Sequence, residues 1–397
     1  MSFEILETET NGTIIKVVGV GGAGGNAVEH MIRRGVQGVE FVCANTDHQA
    51  LARSSSQNIL QLGKSGLGAG SRPDAGRAAA EEARDRIADA LRGAHMVFIT
   101  AGMGGGTGTG AAPVFAEVAK ELGVLTVAVV SKPFEFEGPK RMKLAEEGLS
   151  ELEDNVHSLI VILNNKLEEV MGEDAEMAEC FRAADDVLHN ACAGIAEIIN
   201  VPGLVNVDFE DVKTVMSERG KAMMGTATSA GLDRARIAAE QAVASPLLEG
   251  VDLSGARGVL VNITASTSLK MKETREVMNT IRAFSAEDST VIFGTVCDES
   301  MGDSLRVTVV ATGLGRASAK KVSTPFTVIR TGTDNGPVGV VPATAAPSPV
   351  TDYADLDKPA IWRTRDTRES VQARVSAMED SGTERYDIPA FLRKQAD

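Results

Sequence analysis

The chain has 397 residues, enough for two domains and a tail, and 43% of them are hydrophobic, enough for large cores. A formal net charge of −15 argues against nucleic acid as the main partner, because a phosphate backbone needs a basic face. The four cysteines (Cys43, Cys180, Cys192, Cys297) are scattered through apolar segments and form no Cys-x-x-Cys pair, so each reads as a small core residue. No apolar run reaches membrane-spanning length, and the N-terminus lacks a basic-then-apolar signal, so a cytoplasmic protein without direct membrane insertion is expected.

From residue 13 to about 165, strand and helix patterns alternate. The strand candidates are Thr13–Val20, Val39–Asn45, Met96–Ala101, Val124–Ser131 and Leu159–Leu163, all continuously apolar and rich in Val and Ile. That is the composition of strands buried on both faces. Helical stretches lie between them at Asn26–Arg34, Pro73–Leu91 and Ala111–Leu122. Such βαβ alternation predicts a parallel sheet with helices on both sides.

Residues 175–200 carry one long helical pattern, with Met177, Phe181, Ala184, Leu188, Ala191, Ile195 and Ile198 at steps of four and three. At about 1.5 Å per residue such a helix spans roughly 37 Å and could join two domains. Pro202-Gly203 stops it. Residues 220–315 read as a second α/β unit, with strands at Gly258–Ala265, Thr290–Val296 and Ser304–Ala311, a helix at Met271–Phe284, and a hairpin turn expected at Asp298–Asp303. Beyond residue 316 the chain holds seven of its thirteen prolines but only four of its forty glycines, and periodicity ends. A disordered linker over 317–383 is expected. The compact apolar-plus-basic run Tyr386–Lys394 behind it reads as a docking peptide on a tether.

Two glycine loops carry the chemistry. Gly102–Gly110 holds six glycines in nine residues and lies between a strand and a helix. Without Cβ atoms the backbone can curl until its N–H groups converge at a helix N-terminus, which is an anion site. The earlier run Gly19–Asn26 also joins a strand to a helix, and Gly19, Gly21 and Gly24 satisfy the G-x-G-x-x-G dinucleotide pattern, with Asp47 available as the acid after the second strand. A Rossmann-type NAD(P)-dependent oxidoreductase is therefore a competing expectation. A single phosphate turn would suffice for it; two, at neighbouring strands, suit a longer phosphate chain held from both sides. Gly63-Lys64-Ser65 is not a P-loop, since Asn58 stands where the first glycine belongs and no strand is expected before it. The five histidines show no His-Glu-x-x-His spacing and no Gly-x-Ser-x-Gly elbow occurs, so no zinc or serine hydrolase is expected, and no protein metal ligands are assigned.

Gly104-Gly105-Gly106-Thr107-Gly108-Thr109-Gly110 resembles the signature loop of the tubulin family. Together with the loop at 19–26, Asn206-Val207-Asp208-Phe209-Glu210-Asp211 and the tail at 386–394, the chain resembles the tubulin-like cell-division GTPases of bacteria, the FtsZ family. The resemblance covers about residues 12–315 and the extreme tail. It implies a GTP-binding parallel-sheet domain over 1–174, a central helix over 175–202, a smaller α/β polymerisation domain over 203–316, a linker over 317–383 and a docking peptide over 384–397.

The resemblance further implies that Gly21, Gly22 and Asn26 meet the phosphates and sugar of GTP or GDP. Asn45, Thr46 and Asp47 form a second loop, Gly104, Gly105, Gly106, Thr107, Gly108 and Thr109 wrap the phosphates, and Glu137 and Arg141 reach the ribose. Asn164, Phe181 and Asp185 read guanine. Phe181 and Asp185 are four apart and share a helix face. An aromatic ring can stack on a base, and a carboxylate can accept from N1–H and the amino group of guanine, a donor pair that adenine lacks. From periodicity alone, Phe181 is equally a core residue.

Asp208 and Asp211, three apart after the Pro-Gly break, read on their own as a helix N-cap and a first-turn acid. The resemblance gives them a catalytic role in trans, polarising the water that attacks the γ-phosphate, with Asn206 positioning their loop and Mg²⁺ offsetting charge. A third reading is a non-enzymatic nucleotide-binding assembly protein whose acids are only caps. The implied partners are further copies stacked head to tail and, through 384–397, membrane-tethering adaptors (FtsA-like, ZipA-like) at the mid-cell division site.

Overall fold

The computed structural model describes residues 12–172, 174–201, 203–218, 220–245, 256–286 and 289–314. The expected linker and docking peptide lie outside the described residues. The apolar runs of the first half become the strands β1 (Ile15–Val20), β2 (Val39–Asn45), β4 (Met96–Gly102), β5 (Leu125–Lys132) and β6 (Ser158–Leu163), with a short β3 (Asn58–Gln61) beside β2. All of them pair in parallel. The second half adds β7 (Gly220–Ala230), β8 (Gly258–Ala265), β9 (Thr290–Cys297) and β10 (Ser304–Leu314). The ten strands form one sheet in the order β3-β2-β1-β4-β5-β6-β7-β10-β8-β9. Its two halves meet over three paired positions only, Ser158–Ile160 of β6 against Gly220–Ala222 of β7.

The central strands β4 and β5 are buried almost throughout because both faces are covered. In β4, Met96 and Phe98 join one core, while Val97, Ile99 and Ala101 join the other. This is the two-residue alternation of a strand with no wet side. The first core lies under α1 (Gly21–Arg33) and the long α8 (Met177–Asn200), and it continues into the second half through Leu260 and Val310. The other lies under α3 (Pro73–Glu82), α4 (Arg84–Leu91), α5 (Thr107–Glu121) and α6 (Pro139–Glu153). A third core packs beneath α10 (Arg234–Val243) and α11 (Met271–Phe284). Three short helices remain: α2 (His48–Leu51), α7 (Asn164–Met171) and α9 (Phe209–Met216).

Several boundaries differ from expectation for local reasons. α1 and α5 start at Gly21 and Thr107, inside the glycine loops, because tertiary contacts override the low helix propensity of glycine. Residues 73–91 form two helices, not one, with Ala83 between them leaving helical geometry at φ −102°, ψ 9°. Met177 and Phe181 are not buried in the α8 seam; both are exposed, and the buried face begins at Cys180 and Ala184.

The hairpin at Asp298–Asp303 is not formed. β9 pairs with β8 in parallel, and β10 pairs with β8 and β7, so this connection passes over the end of β8. It does so as a 3₁₀ turn capped by Asp298, which accepts from Ser300 N at 2.9 Å. Two polar residues that face α9, Ser158 and Thr312, donate to the carbonyls of Met216 and Val215 at 2.6 and 2.8 Å and fix that helix.

α1 packs tightly on β4. A Cβ on Gly24 would stand 2.3 Å from the carbonyl oxygen of Thr100, whereas one on Gly25 would meet nothing within 4 Å. Gly24→Ala is therefore expected to destabilise the protein by about 1–3 kcal/mol through overpacking. Gly25→Ala, in the same helix, is expected to stabilise by roughly 0.5–1 kcal/mol. Thermal melts of the two variants check this, and equal melting temperatures would refute the contact.

Candidate functional site

β1 and β4 are neighbours; β1 turns directly into α1, and β4 leads into α5 after four residues. The two glycine loops therefore lie side by side, and they touch. Gly21 has φ +75°, and a Cβ there would stand 2.9 Å from Gly108 N; one on Gly108 would stand 2.5 Å from Gly102 O. Gly104, at φ +96°, donates its N–H to Thr109 Oγ1 at 2.8 Å, which folds the second loop back on its helix. Neither α1 nor α5 has a side-chain cap. Their first-turn N–H groups, which carry the positive ends of two helix dipoles, are left for a ligand.

These loops form one wall of a cleft of about 510 Å³. Of the residues singled out from the sequence, Gly22, Asn26, Gly105, Gly106, Thr107, Gly108, Glu137, Arg141, Asn164, Phe181 and Asp185 line it. Glu137 accepts from Phe134 N at 2.9 Å and pairs with Arg141, so the two charges are held together at the rim. Phe181 is 43% exposed and meets Phe134 edge-on at 5.2 Å; Phe134 in turn stacks on Phe136 at 5.1 Å. One ring face is thus available beside the cleft. Asn164 is buried, and its Oδ1 has no hydrogen-bond partner among the described residues. A buried acceptor left open on a cleft wall is a place for a ligand donor. Asp185 lies among these groups. Burial pushes its carboxyl up to about 6; His30 opposes the rise, Asp186 adds to it and Arg33 opposes it.

Gly21, Gly104 and Thr109 shape the loops without lining the cleft. The Asn45–Asp47 loop stands beside it. Asn45 lines an adjoining cavity of about 280 Å³ that shares Gly22 and Asn26, and Thr46 Oγ1 bonds to Thr107 Oγ1 at 2.6 Å. Asp47 caps α2, accepting from Gln49 N at 2.8 Å.

Asn206, Asp208 and Asp211 are exposed and far from the cleft of their own molecule. Asn206 Oδ1 accepts from Gly203 N at 2.8 Å, closing the loop ahead of α9. Asp208 caps α9, accepting from Asp211 N at 2.8 Å. Phe209 packs against His95, immediately before β4, whereas the cleft lies after β4. Seven residues of strand at about 3.3 Å each put roughly 20 Å between the acids and the glycine loops.

The cleft also contains residues that the sequence did not single out, among them Gly70, Ser131, Lys132 and Pro133. The last three stand at the C-terminal end of β5, the carboxyl edge where open α/β sheets hold ligands, and that rule could have found them. A strand, β3, does precede Gly63-Lys64-Ser65, contrary to expectation. No helix follows directly, and Lys64 is an exposed partner of Glu82 at 3.2 Å, so the exclusion of a P-loop stands.

Twin glycine loops, two uncapped helix N-termini and an aromatic–carboxylate wall define an α/β nucleotide-binding protein. The chain belongs to the Tubulin/FtsZ family: the model of the Tubulin/FtsZ family GTPase domain matches residues 14–172, and that of the FtsZ family C-terminal domain matches residues 220–315. It is 54% identical to cell division protein FtsZ of Coxiella burnetii, over 99% of both chains. It is 52% identical to cell division protein FtsZ of Pseudomonas aeruginosa, over the full length of both. Among solved structures, an empty FtsZ dimer of M. jannaschii superposes with a TM-score of 0.74 at 42% identity, covering 77% of this chain and 89% of that one. The chain is accordingly a tubulin-like GTPase of the cell-division cytoskeleton, and no comparison supports an oxidoreductase. Among the described residues no helix is long and apolar enough to cross a membrane.

The state of Asp185 has a measurable sign. Its carboxyl is raised from 3.8 to about 6 by burial, so the folded protein binds that proton more tightly than the unfolded chain. The cost of the buried charge is complete above the folded value, falls as pH drops between the two values, and is gone below the unfolded one. Asp185→Asn should therefore raise the melting temperature of nucleotide-free protein at about pH 7.5 and give no gain at about pH 3.5. A gain independent of pH would exclude a buried charge as its cause.

Proposed function

We propose that the cleft binds GTP and that hydrolysis is completed by carboxylates from the next molecule in a head-to-tail filament. The first-turn N–H groups of α1 and α5, with Gly22, Asn26 and Gly105–Gly108, take the phosphates, while Gly21, Gly104 and Thr109 hold the loops in shape. Asn45, Thr46 and Asp47 brace that arrangement through the Thr46–Thr107 bond. The Glu137–Arg141 pair meets the ribose. The base stacks on Phe181 while Asp185 accepts from N1–H and the amino group, and Asn164 Oδ1 offers a further acceptor. The cleft's charged side chains, Lys132 and Arg141 against Glu137 and Asp185, cancel and leave a triphosphate unbalanced. Mg²⁺ carried on the phosphate oxygens supplies the missing positive charge.

One observation carries the reading of catalysis in trans: nucleotide cleft and acids stand at opposite ends of the same strand, with His95 and Phe209 at its start and Gly102 at its end. A single molecule cannot bring them together, but two molecules stacked along the strand direction can. Such a contact is heterologous, so it propagates as a filament. Asp208 is already engaged in capping α9. Asp211, exposed in the first turn, is then the principal group to orient and polarise the attacking water, with Asn206 holding the loop. The terminal peptide 384–397 ties the filament to membrane-tethering adaptors (FtsA-like, ZipA-like) at mid-cell.

Asp211→Ala should bind GTP and assemble but lose about a hundredfold or more in turnover. Mixing it with Asp185→Ala, which keeps its acids but has a damaged base site, should restore activity wherever an intact cleft meets intact acids. Two inactive parents giving an inactive mixture that still co-assembles would reject catalysis in trans. Deleting 384–397 should leave GTP turnover unchanged and abolish adaptor capture; a collapse of turnover would make the peptide part of the fold.

A further inference from the structure

The two walls of the cleft hang on two helices that are joined away from it. α1 begins in the first glycine loop and carries Gly22 and Asn26 in its first turns; α8 carries Phe181 and Asp185. The apolar residues of the two helices, among them Ala27, Met31, Ala184 and Leu188, belong to a common core, and apolar burial has little directional preference. One polar cluster does have direction. Asp186 Oδ1 accepts from His30 Nε2 at 2.8 Å and from Arg34 Nη2 at 2.6 Å. His30 and Arg34 are four apart, so both lie on the face of α1 turned to α8. The His30 ring also meets the His189 ring edge-on, with centroids 6.0 Å apart, one turn further along α8.

We propose that the bridge from His30 and Arg34 to Asp186 is a positioning device for base recognition, setting the register of α8 against α1 so that Asp185 stands at the distance from the phosphate loops that a guanine nucleotide requires. The proposal rests on the reading of Asp185 as the guanine-reading carboxylate. Asp186 is the next residue on the same helix, so any slip that breaks the bridge also moves Asp185. A carboxylate accepting two hydrogen bonds from one base edge tolerates a displacement of only about 0.5 Å. The device also acts through charge. The groups facing Asp185 are His30 and Arg33 of α1, Asp186 beside it on α8, and Lys132, Glu137 and Arg141 across the cleft. Of the bridge, His30 favours the ionised form of Asp185 and Asp186 disfavours it.

The test uses the full chain and two probes, GDP and IDP, which differ in the 2-amino group, with affinities measured by calorimetry from about pH 5 to about pH 8. His30→Ala and Asp186→Asn should each lower the preference for GDP over IDP roughly fivefold to tenfold, and His30→Gln, which keeps a donor, should retain it. The pH at which GDP affinity is half lost should rise in His30→Ala and fall in Asp186→Asn. Comparison with the wild type on the same ligand cancels the titration of the phosphates. If both variants melt lower yet keep the preference, or if both midpoints move in the same direction, the bridge is only a strut and the proposal falls. If Asp185→Asn leaves the preference intact, Asp185 does not read guanine, and the proposal falls with that reading. Should His30→Ala fail to fold by circular dichroism, Asp186→Asn decides the matter alone.

Discussion

The structure depends on how closely two peptide backbones can approach at the end of a parallel sheet. β1 and β4 end side by side, and the loops that follow touch at Gly21 and Gly108 with no room for a side chain on either. That contact aims two helix N-termini at one volume. Their first-turn N–H groups have no side-chain partners, so the site carries a positive potential built from fixed dipoles. Fixed dipoles do not need to reorganise when an anion arrives, and a phosphate chain meets donors already in place. The surrounding cores follow from the same demand. Loops this thin are stiff only if strands and helices behind them are clamped, and β1 and β4 are buried on both faces.

On the proposed reading, specificity comes from a different material: the phosphate wall is backbone, while the base wall is side chain, Asn164, Phe181 and Asp185, supplied by α7 and by the overhanging first turns of α8. Backbone donors cannot distinguish guanine from adenine, because both nucleotides present the same phosphates. Discrimination needs an acceptor pair facing N1–H and the amino group, and burying a carboxylate to provide it is unfavourable without the ligand. The elevated proton affinity of Asp185 records that cost.

Much of this was legible in the sequence, for identifiable reasons. Strands buried on both faces are mostly apolar, and β2 and β8 coincide with their expected limits. The glycine loops were legible because their composition has few other uses between a strand and a helix. β7 was not. Its sequence Gly220–Ala230 mixes Lys, Thr and Ser with Met and Ala, since much of it is only half buried, and no apolar run betrays it. The hairpin expected at Asp298–Asp303 failed because adjacency in sequence says nothing of the strand inserted between β9 and β10. Phe181 was ambiguous for a related reason. Helical periodicity reports which face is apolar, but not that the sheet ends before the helix does. Asn164, Phe181 and Asp185 are legible as cleft residues only through the family resemblance, and nothing in the types of Ser131, Lys132 and Pro133 marks them as cleft residues.

The length of α8 has a mechanical meaning. It runs from the cleft, where Phe181 lies near Phe134, to the far end of the sheet, where Asn200 Nδ2 donates to Gly38 O at 2.6 Å. Its 24 residues, at about 1.5 Å each, span roughly 36 Å, the full depth of the nucleotide-binding half. The loop carrying Asn206 and Asp208 follows directly. One helix therefore has the cleft at one end and the loop of acids at the other. Any change in the register of α8 against α1 is felt at both ends.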